Sequence, residues 1–328
     1  MDLSKLPKIE LHLHLDCSLS FSFVRQLEAC SPESYQSRFV APAKCRDLNE
    51  YLQYALSGIA VLQTKTALEN ATLDLFEQLR ADNVIYAEIR FAPLEHRKKG
   101  LAGQEVVQVV SKAMQEGSRQ TGIQAGLILC TLRNYSEVQS LETATLAAAF
   151  KADGVVGFDI AADEAGFSIQ NHIAAFHFAR TNGIHCTAHA GEACGPESVW
   201  ESIREFAPQR IGHGVRSVED PSLVDFLREH KIHLEVCPTS NIQTNVYPGL
   251  PDHPIDKLYR SGVSLGINTD ARTISNVTLT DEYQKLAQTF HWGKTEFLAC
   301  NLAAVDHAFT RPEVKAALRQ RLLAGFEG

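Results

Sequence analysis

The sequence contains eight apolar runs that each end in polar residues, with helical patterns between them. The runs are KIELHLHLD (8–16), VIYAEIRFAP (84–93), IQAGLILCTLR (123–133), VVGFDIAADE (155–164), IHCTAHAGE (184–192), RIGHGV (210–215), IHLEVCPTSN (232–241) and VSLGINTDAR (263–272). Strands that alternate with helices indicate a parallel sheet, and nearly continuous apolar strands are typical of a sheet covered on both faces. Eight such units over roughly 250 residues predict an α/β fold of the (β/α)₈ TIM-barrel type.

The stretches between the runs show helical periodicity. Amphipathic helices are predicted over 104–116, 171–181, 221–230 and 279–290. The segment 17–80 is too long for one crossover helix, so we predict extra helices between strands 1 and 2. Because no linker-like or low-complexity stretch interrupts the pattern, residues 1–328 are expected to form a single barrel domain.

Composition and charge argue against two classes of partner. The chain has 328 residues, of which 45% are hydrophobic and 21% are charged, and these values are ordinary for a globular protein. Its formal net charge of −8 argues against a surface that binds nucleic acid or an anionic membrane. No apolar run reaches the ~18 residues that a membrane-spanning helix needs. We therefore expect neither nucleic acid nor a membrane as a partner.

The cysteines and the N-terminus bear on the cellular compartment. The eight cysteines are scattered, without a CxxC pair, and the N-terminal MDLSKLPKIE lacks the apolar segment of a signal peptide. Structural disulfides belong to oxidising compartments. We therefore expect reduced thiols and a cytoplasmic location.

Residues 9–16, IELHLHLD, place two histidines and an aspartate among leucines. In a strand, successive side chains point to opposite faces, so His12, His14 and Asp16 would share one face. Simple amphipathic alternation with the polar face in water produces the same pattern. A metal site is the alternative, because neutral histidine is a common metal ligand. This stretch alone does not decide between the two.

Other polar side chains fall at the same ends of their strands. In chain order, these strand-end residues are His12, His14, Asp16, Arg90, Asp163, Glu164, His189, Glu192, His213 and Asp270. Active sites of (β/α)₈ barrels lie at the carboxyl ends of the strands. Taken alone, His213 would fit a structural turn and Glu192 a helix cap. The convergence of so many residues at one end favours a shared site.

The types of residue at these strand ends indicate the chemistry. Two histidines of strand 1, one of strand 5 and the aspartate of strand 8 offer three nitrogen ligands and one oxygen ligand. Such a set suits Zn²⁺, with Fe²⁺ or Co²⁺ as alternatives. A catalytic zinc keeps one position for water and lowers the pKa of that water to about 7. The pattern predicts metal-assisted hydrolytic attack on an electrophilic carbon.

Five motifs carry a family resemblance. They are PKIELHLHLD, TAHAGE, RIGHGV, EVCPTSNIQT and SLGINTD, in a match that extends from Pro7 to about His291. Together and in this order they resemble the adenosine deaminase family of the amidohydrolase superfamily. The resemblance implies a zinc-dependent (β/α)₈ barrel, in agreement with the strand count. It also implies a hydrolase that acts on C–N bonds of cyclic amidines in purine metabolism.

The resemblance implies a role for each residue of the site. One Zn²⁺ per chain would be bound by His12, His14, His189 and Asp270. Glu192 would deliver a proton to the purine ring nitrogen beside the amino-bearing carbon. His213 would hold the hydroxide, and Asp270 would also accept a proton from the water.

The substrate-binding residues implied by the resemblance are His14, Asp16, Ala162 and Ala271, and Asp16 matches the position that contacts the ribose hydroxyl. Many members have glycine where this chain has Cys17 and Ala162. Ala271 replaces a second aspartate that hydrogen-bonds the five-membered ring of the purine. The loss of such a contact costs of order 1 kcal/mol. Arg272 or a water molecule is a candidate to compensate for that loss.

Three functions remain open at this point. The first is deamination of adenosine or 2′-deoxyadenosine to inosine or deoxyinosine plus ammonia. The second keeps the chemistry with another 6-aminopurine, such as aminodeoxyfutalosine, adenine or an N6-substituted adenine nucleotide. The phosphate of a nucleotide would favour a basic pocket, for which Arg90, Arg133 and Arg272 are the strand-end candidates, although Arg90 and Arg133 equally fit structural ion pairs. The third is an inactive nucleoside-binding protein, which the complete set of ligand and acid residues disfavours. The expected partner is a small purine nucleoside, and the sequence indicates no protein partner.

Overall fold

Eight parallel strands form the barrel of this computed structural model, which describes residues 2–327. The two ends of the predicted domain, Met1 and Gly328, lie outside the described residues. The strands are β1 (Lys8–His14), β2 (Val84–Phe91), β3 (Gln124–Leu132), β4 (Val155–Ala161), β5 (His185–Ala190), β6 (Arg210–His213), β7 (His233–Val236) and β8 (Leu265–Ile267). Each strand pairs with the next along the chain. The predicted (β/α)₈ fold is confirmed.

The barrel closes between β1 and the chain that follows β8. The N–H of Asp270 donates to the carbonyl of His12 (3.0 Å), and the carbonyl of Asp270 accepts from the N–H of His14 (2.8 Å). These two bonds form a parallel bridge between Leu13 and Asp270. The closure therefore brings polar residues of the first and last strands next to one another.

Helices surround the barrel and extend over its mouth. They are α1 (Phe21–Leu27), α2 (Pro32–Phe39), α3 (Leu48–Val61), α4 (Lys65–Ala81), α5 (Gly103–Thr121), α6 (Glu137–Ala149), α7 (Ile173–Thr181), α8 (Pro196–Phe206), α9 (Pro221–Glu229), α10 (Pro238–Gln243), α11 (Ile255–Arg260), α12 (Leu279–Phe290), α13 (Lys294–His307) and α14 (Pro312–Glu327). Helices α1 to α4 are the extra helices predicted between strands 1 and 2. Across residues 2–327, no helix has the length and apolar character needed to span a bilayer.

Each of the eight predicted runs extends past the carboxyl end of its strand. The run 232–241 is a strand only as far as Val236, because Pro238 occupies the first turn of α10, where the missing N–H of proline is tolerated. Strand 1 ends at His14, and Asp16 lies in the turn that follows it. The sequence-based prediction included the terminal polar residues in the strands, whereas the structure places these residues on turns and on a short helix.

The alternation of side chains in β1 is interrupted once. Relative to β2, the strand carries one extra residue between Glu10 and Leu13. The side-chain oxygen of Asn268 accepts from two successive backbone N–H groups there, those of Leu11 (2.8 Å) and His12 (3.0 Å). Such bulges re-aim side chains near active sites. The carboxylate of Glu10 accordingly binds Thr269 and Arg272 and stays out of the site formed by His12.

Helix α3 packs directly on the turn after β1. Gly58 of α3 approaches the backbone of Asp16 so closely that an added Cβ would overlap the Asp16 carbonyl oxygen. Backbone atoms cannot rotate away as the end of a side chain can. A glycine at position 58 is therefore what allows α3 to sit over the mouth of the barrel.

We predict that Gly58→Ala lowers the free energy of unfolding by about 1–3 kcal/mol, the usual cost of overpacking. Urea denaturation of the variant measures this loss. The matched control is Gly249→Ala, since a Cβ at residue 249 would meet its nearest neighbour at 3.6 Å, an ordinary contact. Equal stability of both variants would contradict the close packing of α3 on Asp16.

Candidate active site

His12, His14, His189 and Asp270 come together at the carboxyl end of the barrel. One ligand-type atom from each lies within 4.8 Å of the others. The Nε2 atoms of His14 and His189 are 3.3 Å apart, and Oδ1 of Asp270 is 3.4 Å from Nε2 of both His12 and His14. The structure thus places side by side the four residues that the sequence analysis offered as metal ligands.

Two carboxylates determine which ring nitrogens face this cluster. Nδ1 of His12 is 2.9 Å from Glu235, and Nδ1 of His189 is 3.0 Å from Asp159. Because an ionised carboxylate only accepts hydrogen bonds, Nδ1 carries a hydrogen in both rings, and Nε2 presents a lone pair in the neutral form of each ring. Burial also lowers the pKa of His14 to about 3, so this ring is neutral. Three imidazoles that can each offer a lone pair in the neutral form thus converge on one point.

The cluster fits a metal cation. Among the described residues, Nε2 of His12 is a buried polar atom without a hydrogen-bond partner. Buried polar atoms are normally paired, and an orphaned one requires an explanation such as an ion. Lone pairs that converge on a carboxylate oxygen are the environment that a divalent cation satisfies. The donor set of three nitrogens and one oxygen suits zinc and related metals.

Arg90 lies behind the cluster and joins its two supporting carboxylates. The guanidinium donates to Asp159 (2.7 Å) and to Glu235 (2.7 Å), and all three side chains are fully buried. Although burial opposes ionisation, neighbouring positive charges hold the pKa of Asp159 low and that of Glu235 well below its usual range. Arg90 is therefore part of a structural ion-pair network and does not reach a substrate phosphate.

Glu192 lies beside the cluster on the turn after β5. Its carboxylate, His213 and Asp270 place one atom each within 4.8 Å, and Nε2 of His213 is 3.7 Å from Oε2 of Glu192. Burial raises the pKa of Glu192 well above its usual range, and the charges of Asp270 and Glu164 raise it further. These surroundings favour the protonated form of the Glu192 carboxyl, which is the form that can act as an acid.

The turn that carries Glu192 is built around the carboxylate of Glu164, which ends the predicted strand 4. This single group accepts hydrogen bonds from four successive backbone N–H groups and one hydroxyl: Gly191 (2.7 Å), Glu192 (3.0 Å), Ala193 (2.6 Å), Cys194 (2.8 Å) and Ser198 (2.5 Å). The sequence placed Glu164 at the correct strand end without assigning it a role. Its acceptor oxygens hold Glu192 in place.

We predict that Glu164→Gln loosens this turn. The side-chain nitrogen of glutamine is a hydrogen-bond donor and cannot accept from the backbone N–H groups, so several of these bonds would be lost. Amide hydrogen exchange of residues 191–194 should become at least tenfold faster, which corresponds to ~1.4 kcal/mol. Glu197→Gln is the control, because Glu197 is exposed and accepts only from the N–H of Gly195. Unchanged protection in Glu164→Gln would exclude the proposed support of the turn.

Helix α10 supplies two contacts that the sequence analysis did not assign. The hydroxyl of Ser240 donates to Oδ2 of Asp270 (2.7 Å), and the amide nitrogen of Asn241 lies 3.1 Å from Nδ1 of His213. Both residues belong to the EVCPTSN motif. The signal that could have found them is the Cys-Pro step, since proline in this position begins a helix.

A cavity of about 230 Å³ opens beside the cluster, and α3 forms one wall of it. The substrate contacts expected from the sequence, namely His14, Asp16, Ala162 and Ala271, all line this cavity. Ala271 is buried and packs in an apolar group with Tyr51 and Ile274. The wall of the cavity is therefore apolar at residue 271, next to Asp270.

The arginines considered for this cavity serve elsewhere. Within the described residues, neither lysine nor arginine lines it. Arg272, one of the two candidates to compensate for Ala271, instead pairs with Glu10 (2.7 Å) and Asp82 (2.9 Å). Arg133 donates to the backbone carbonyl of His189 (2.8 Å). None of these arginines offers a phosphate site in the cavity.

Ala162 occupies a conformation that usually requires glycine. Its φ of 81° lies in the left-handed region, where the Cβ of an L-residue is crowded. The methyl group also lines the cavity. This residue therefore combines backbone strain with a narrower pocket.

We predict that Ala162→Gly raises the free energy of unfolding by about 0.5–1 kcal/mol. Relief of strain of roughly 1–2 kcal/mol exceeds the entropy that glycine adds to the unfolded chain, roughly 0.4–1 kcal/mol. Ala161→Gly, one residue earlier in β4, is the control and should destabilise by about 0.5–1 kcal/mol. Chemical denaturation distinguishes these opposite signs, and a loss of stability in Ala162→Gly would contradict the strain.

Comparison with known proteins decides the family. The profile of the adenosine deaminase family matches residues 7–324. The chain belongs to the adenosine deaminase family. It is 36% identical over 327 residues to the adenosine deaminase of Clostridium acetobutylicum, with 97% of each chain covered. The family resemblance drawn from the five motifs is confirmed.

Solved structures show the same architecture. An adenine deaminase from Arthrobacter aurescens superposes with a TM-score of 0.91 at 25% identity, over 98% of this chain and all of that one. An N6-mAMP deaminase from arabidopsis gives a TM-score of 0.87 at 26% identity, over 98% of this chain and 99% of that one. The chain is thus a hydrolase of C–N bonds in a metal-dependent family, and its relatives support purine deamination.

Proposed function

We propose that this deaminase acts on adenosine and 2′-deoxyadenosine, uses zinc, and releases inosine or deoxyinosine together with ammonia. The observation that carries the proposal is the buried carboxyl of Glu192 beside the four potential metal ligands, at the end of a cavity that no lysine or arginine of the described residues lines. Residues 1–328 would act as one deaminase domain.

One Zn²⁺ would be held by His12, His14, His189 and Asp270. When bound, the metal supplies a water activated for attack at neutral pH. The hydrogen bond from Ser240 occupies Oδ2 of Asp270 and leaves Oδ1 toward the histidines. One oxygen of this carboxylate thus bonds the supporting hydroxyl, and the other faces the histidine cluster.

The chain's own groups would move the protons. Glu192 would donate its proton to N1 of the purine, which draws electrons from C6. Asp270 would accept the proton that the attacking water loses, while His213 would stabilise the attacking oxygen. The proton held by Asp270 would then pass to the amino group, and the C6–N bond would break to release ammonia. As the C6 carbonyl forms, the proton of the C6 hydroxyl would return to Glu192.

The electrostatics of the cavity favour a nucleoside over a nucleotide. Four acidic side chains line it, namely Asp16, Glu95, Glu192 and Asp270, and neither arginine nor lysine does so within the described residues. A phosphate group would enter without a neutralising cation, which costs free energy. Asp16 could instead accept a hydrogen bond from a ribose hydroxyl. His14, Ala162 and Ala271 would contact the rest of the substrate.

Adenine is the second candidate. Ala271 offers the purine no hydrogen bond, so the chain departs from the family motif at the base itself. The adenine deaminase of Arthrobacter aurescens shares the fold over the whole length. A preference for free adenine over adenosine would explain why Ala271 stands where the family motif has an aspartate that contacts the base.

We predict that the zinc-loaded protein shifts the ultraviolet spectrum of adenosine toward that of inosine. Glu192→Gln should lower kcat by roughly 10²–10⁴-fold, the usual contribution of a general acid. Removal of the metal with a chelator should abolish turnover, and added Zn²⁺ should restore it. Glu229→Gln, at an exposed position of α9, is the control and should retain full activity.

Parallel assays with adenosine, adenine and AMP separate the alternatives. Adenosine should be the best of the three, and AMP should react at least tenfold more slowly. A preference for AMP would overturn the nucleoside assignment. Stoichiometric zinc binding without turnover of any 6-aminopurine would establish an inactive nucleoside-binding protein.

A further inference from the structure

We propose that Asn241 and His253 are positioning residues that fix His213 as the neutral tautomer with its hydrogen on Nε2. The three side chains form a chain of hydrogen bonds that begins at a backbone amide and ends at the cavity. The inference rests on the proposed function only for the role of His213 in the reaction.

The polarity of this chain is set at its outer end by a backbone group. The N–H of Ile255 donates to Nδ1 of His253 (3.2 Å). A backbone amide can only donate, so Nδ1 of His253 must be the accepting nitrogen. In a doubly protonated ring, the hydrogen on Nδ1 would face the N–H of Ile255, so two donors would meet. Burial also lowers the pKa of His253 to about 3. His253 therefore carries its single hydrogen on Nε2.

The second link orients the amide of Asn241. Nε2 of His253 lies 3.2 Å from Oδ1 of Asn241, so the ring N–H donates to the amide oxygen. The side-chain nitrogen of Asn241 then faces the other way, at 3.1 Å from Nδ1 of His213. Asn241 is fully buried and His253 is 3% exposed, so water does not compete for these bonds. The backbone amide thus removes the usual ambiguity of an amide side chain.

The third link decides what His213 can do. Because the amide nitrogen donates to Nδ1, the lone pair of the ring is occupied and its hydrogen lies on Nε2. Nε2 of His213 lies 3.7 Å from Oε2 of Glu192, and His213 lines the cavity. His213 therefore enters the site as a hydrogen-bond donor and cannot accept a proton at Nε2.

The same logic separates His213 from the neighbouring histidines. Nδ1 of His12 and Nδ1 of His189 each donate a hydrogen bond to a carboxylate, so the lone pair of each neutral ring is on Nε2. His213 is backed by an amide donor and has the opposite tautomer. A ring with hydrogen on Nε2 cannot ligate through that atom, although His213 lies within 4.8 Å of His12 and Cys237. The chemistry of the backing group assigns each ring its role.

The test is Asn241→Asp, which keeps the shape of the side chain and replaces the donor with an acceptor. Nitrogen-15 NMR of histidine-labelled, zinc-loaded protein reads the tautomer directly, and loss of signals in His213→Asn identifies the ring. In the wild type, Nδ1 of His213 should be unprotonated and Nε2 protonated. In Asn241→Asp, the hydrogen should appear on Nδ1.

Kinetics supply a second readout. Loss of a donor that acts on the transition state should lower kcat in Asn241→Asp by roughly 10²–10³-fold with little change in KM. Asn245→Asp is the control, because Asn245 is exposed, follows the same helix and uses its side chain only to donate to the carbonyl of Arg46. It adds the same charge and should retain normal kcat.

A wild-type His213 with its hydrogen on Nδ1 would overturn the inference, and this measurement does not require the variant to fold. An unchanged tautomer and kcat in Asn241→Asp would also overturn it. The expected tautomer in a protein that deaminates no purine would instead refute the proposed function and leave the positioning role intact.

Discussion

Barrel closure and the geometry of the site depend on the same two backbone hydrogen bonds. The N–H and the carbonyl of Asp270 bond to the backbones of His12 and His14, so the spacing of three cluster residues follows from the pairing that shuts the barrel. Asp270 has a φ of 63° and His213 a φ of 59°, both in the left-handed region. Such conformations persist where the surrounding structure over-determines them, and they concentrate at functional sites.

The interior of the barrel contains a network of buried ion pairs. Arg90 ties together the carboxylates that orient His12 and His189, so the electrostatics of the core and of the cluster form one system. Removal of one partner of such a buried pair leaves an uncompensated charge and costs about 3–5 kcal/mol. Asn241 provides the contrasting case. A neutral amide behind His213 makes this ring a donor, where carboxylates behind the other two rings make them acceptors.

Departures from the family motif are confined to the walls of the cavity. Ala162 keeps a backbone conformation suited to glycine, and Ala271 replaces a polar contact with a methyl group among apolar neighbours. The proton-handling groups keep their support, since Glu164 holds the turn of Glu192 through its backbone amides. In the proposed function, the residues assigned to the reaction are all present, whereas the departures fall on residues assigned to recognition of the base.

The sequence by itself determined the eight strands, the extra helices after the first strand and the strand ends that carry His12, Glu192 and Asp270. These follow from local periodicity, and barrel topology brings parallel strand ends together. Only the tertiary structure decided the partners of Arg272, which pairs with Glu10 across 262 positions, and the link from His253 to His213. The physical reason is that a side chain's partner depends on which distant segments the fold packs against it, and no local pattern carries that information.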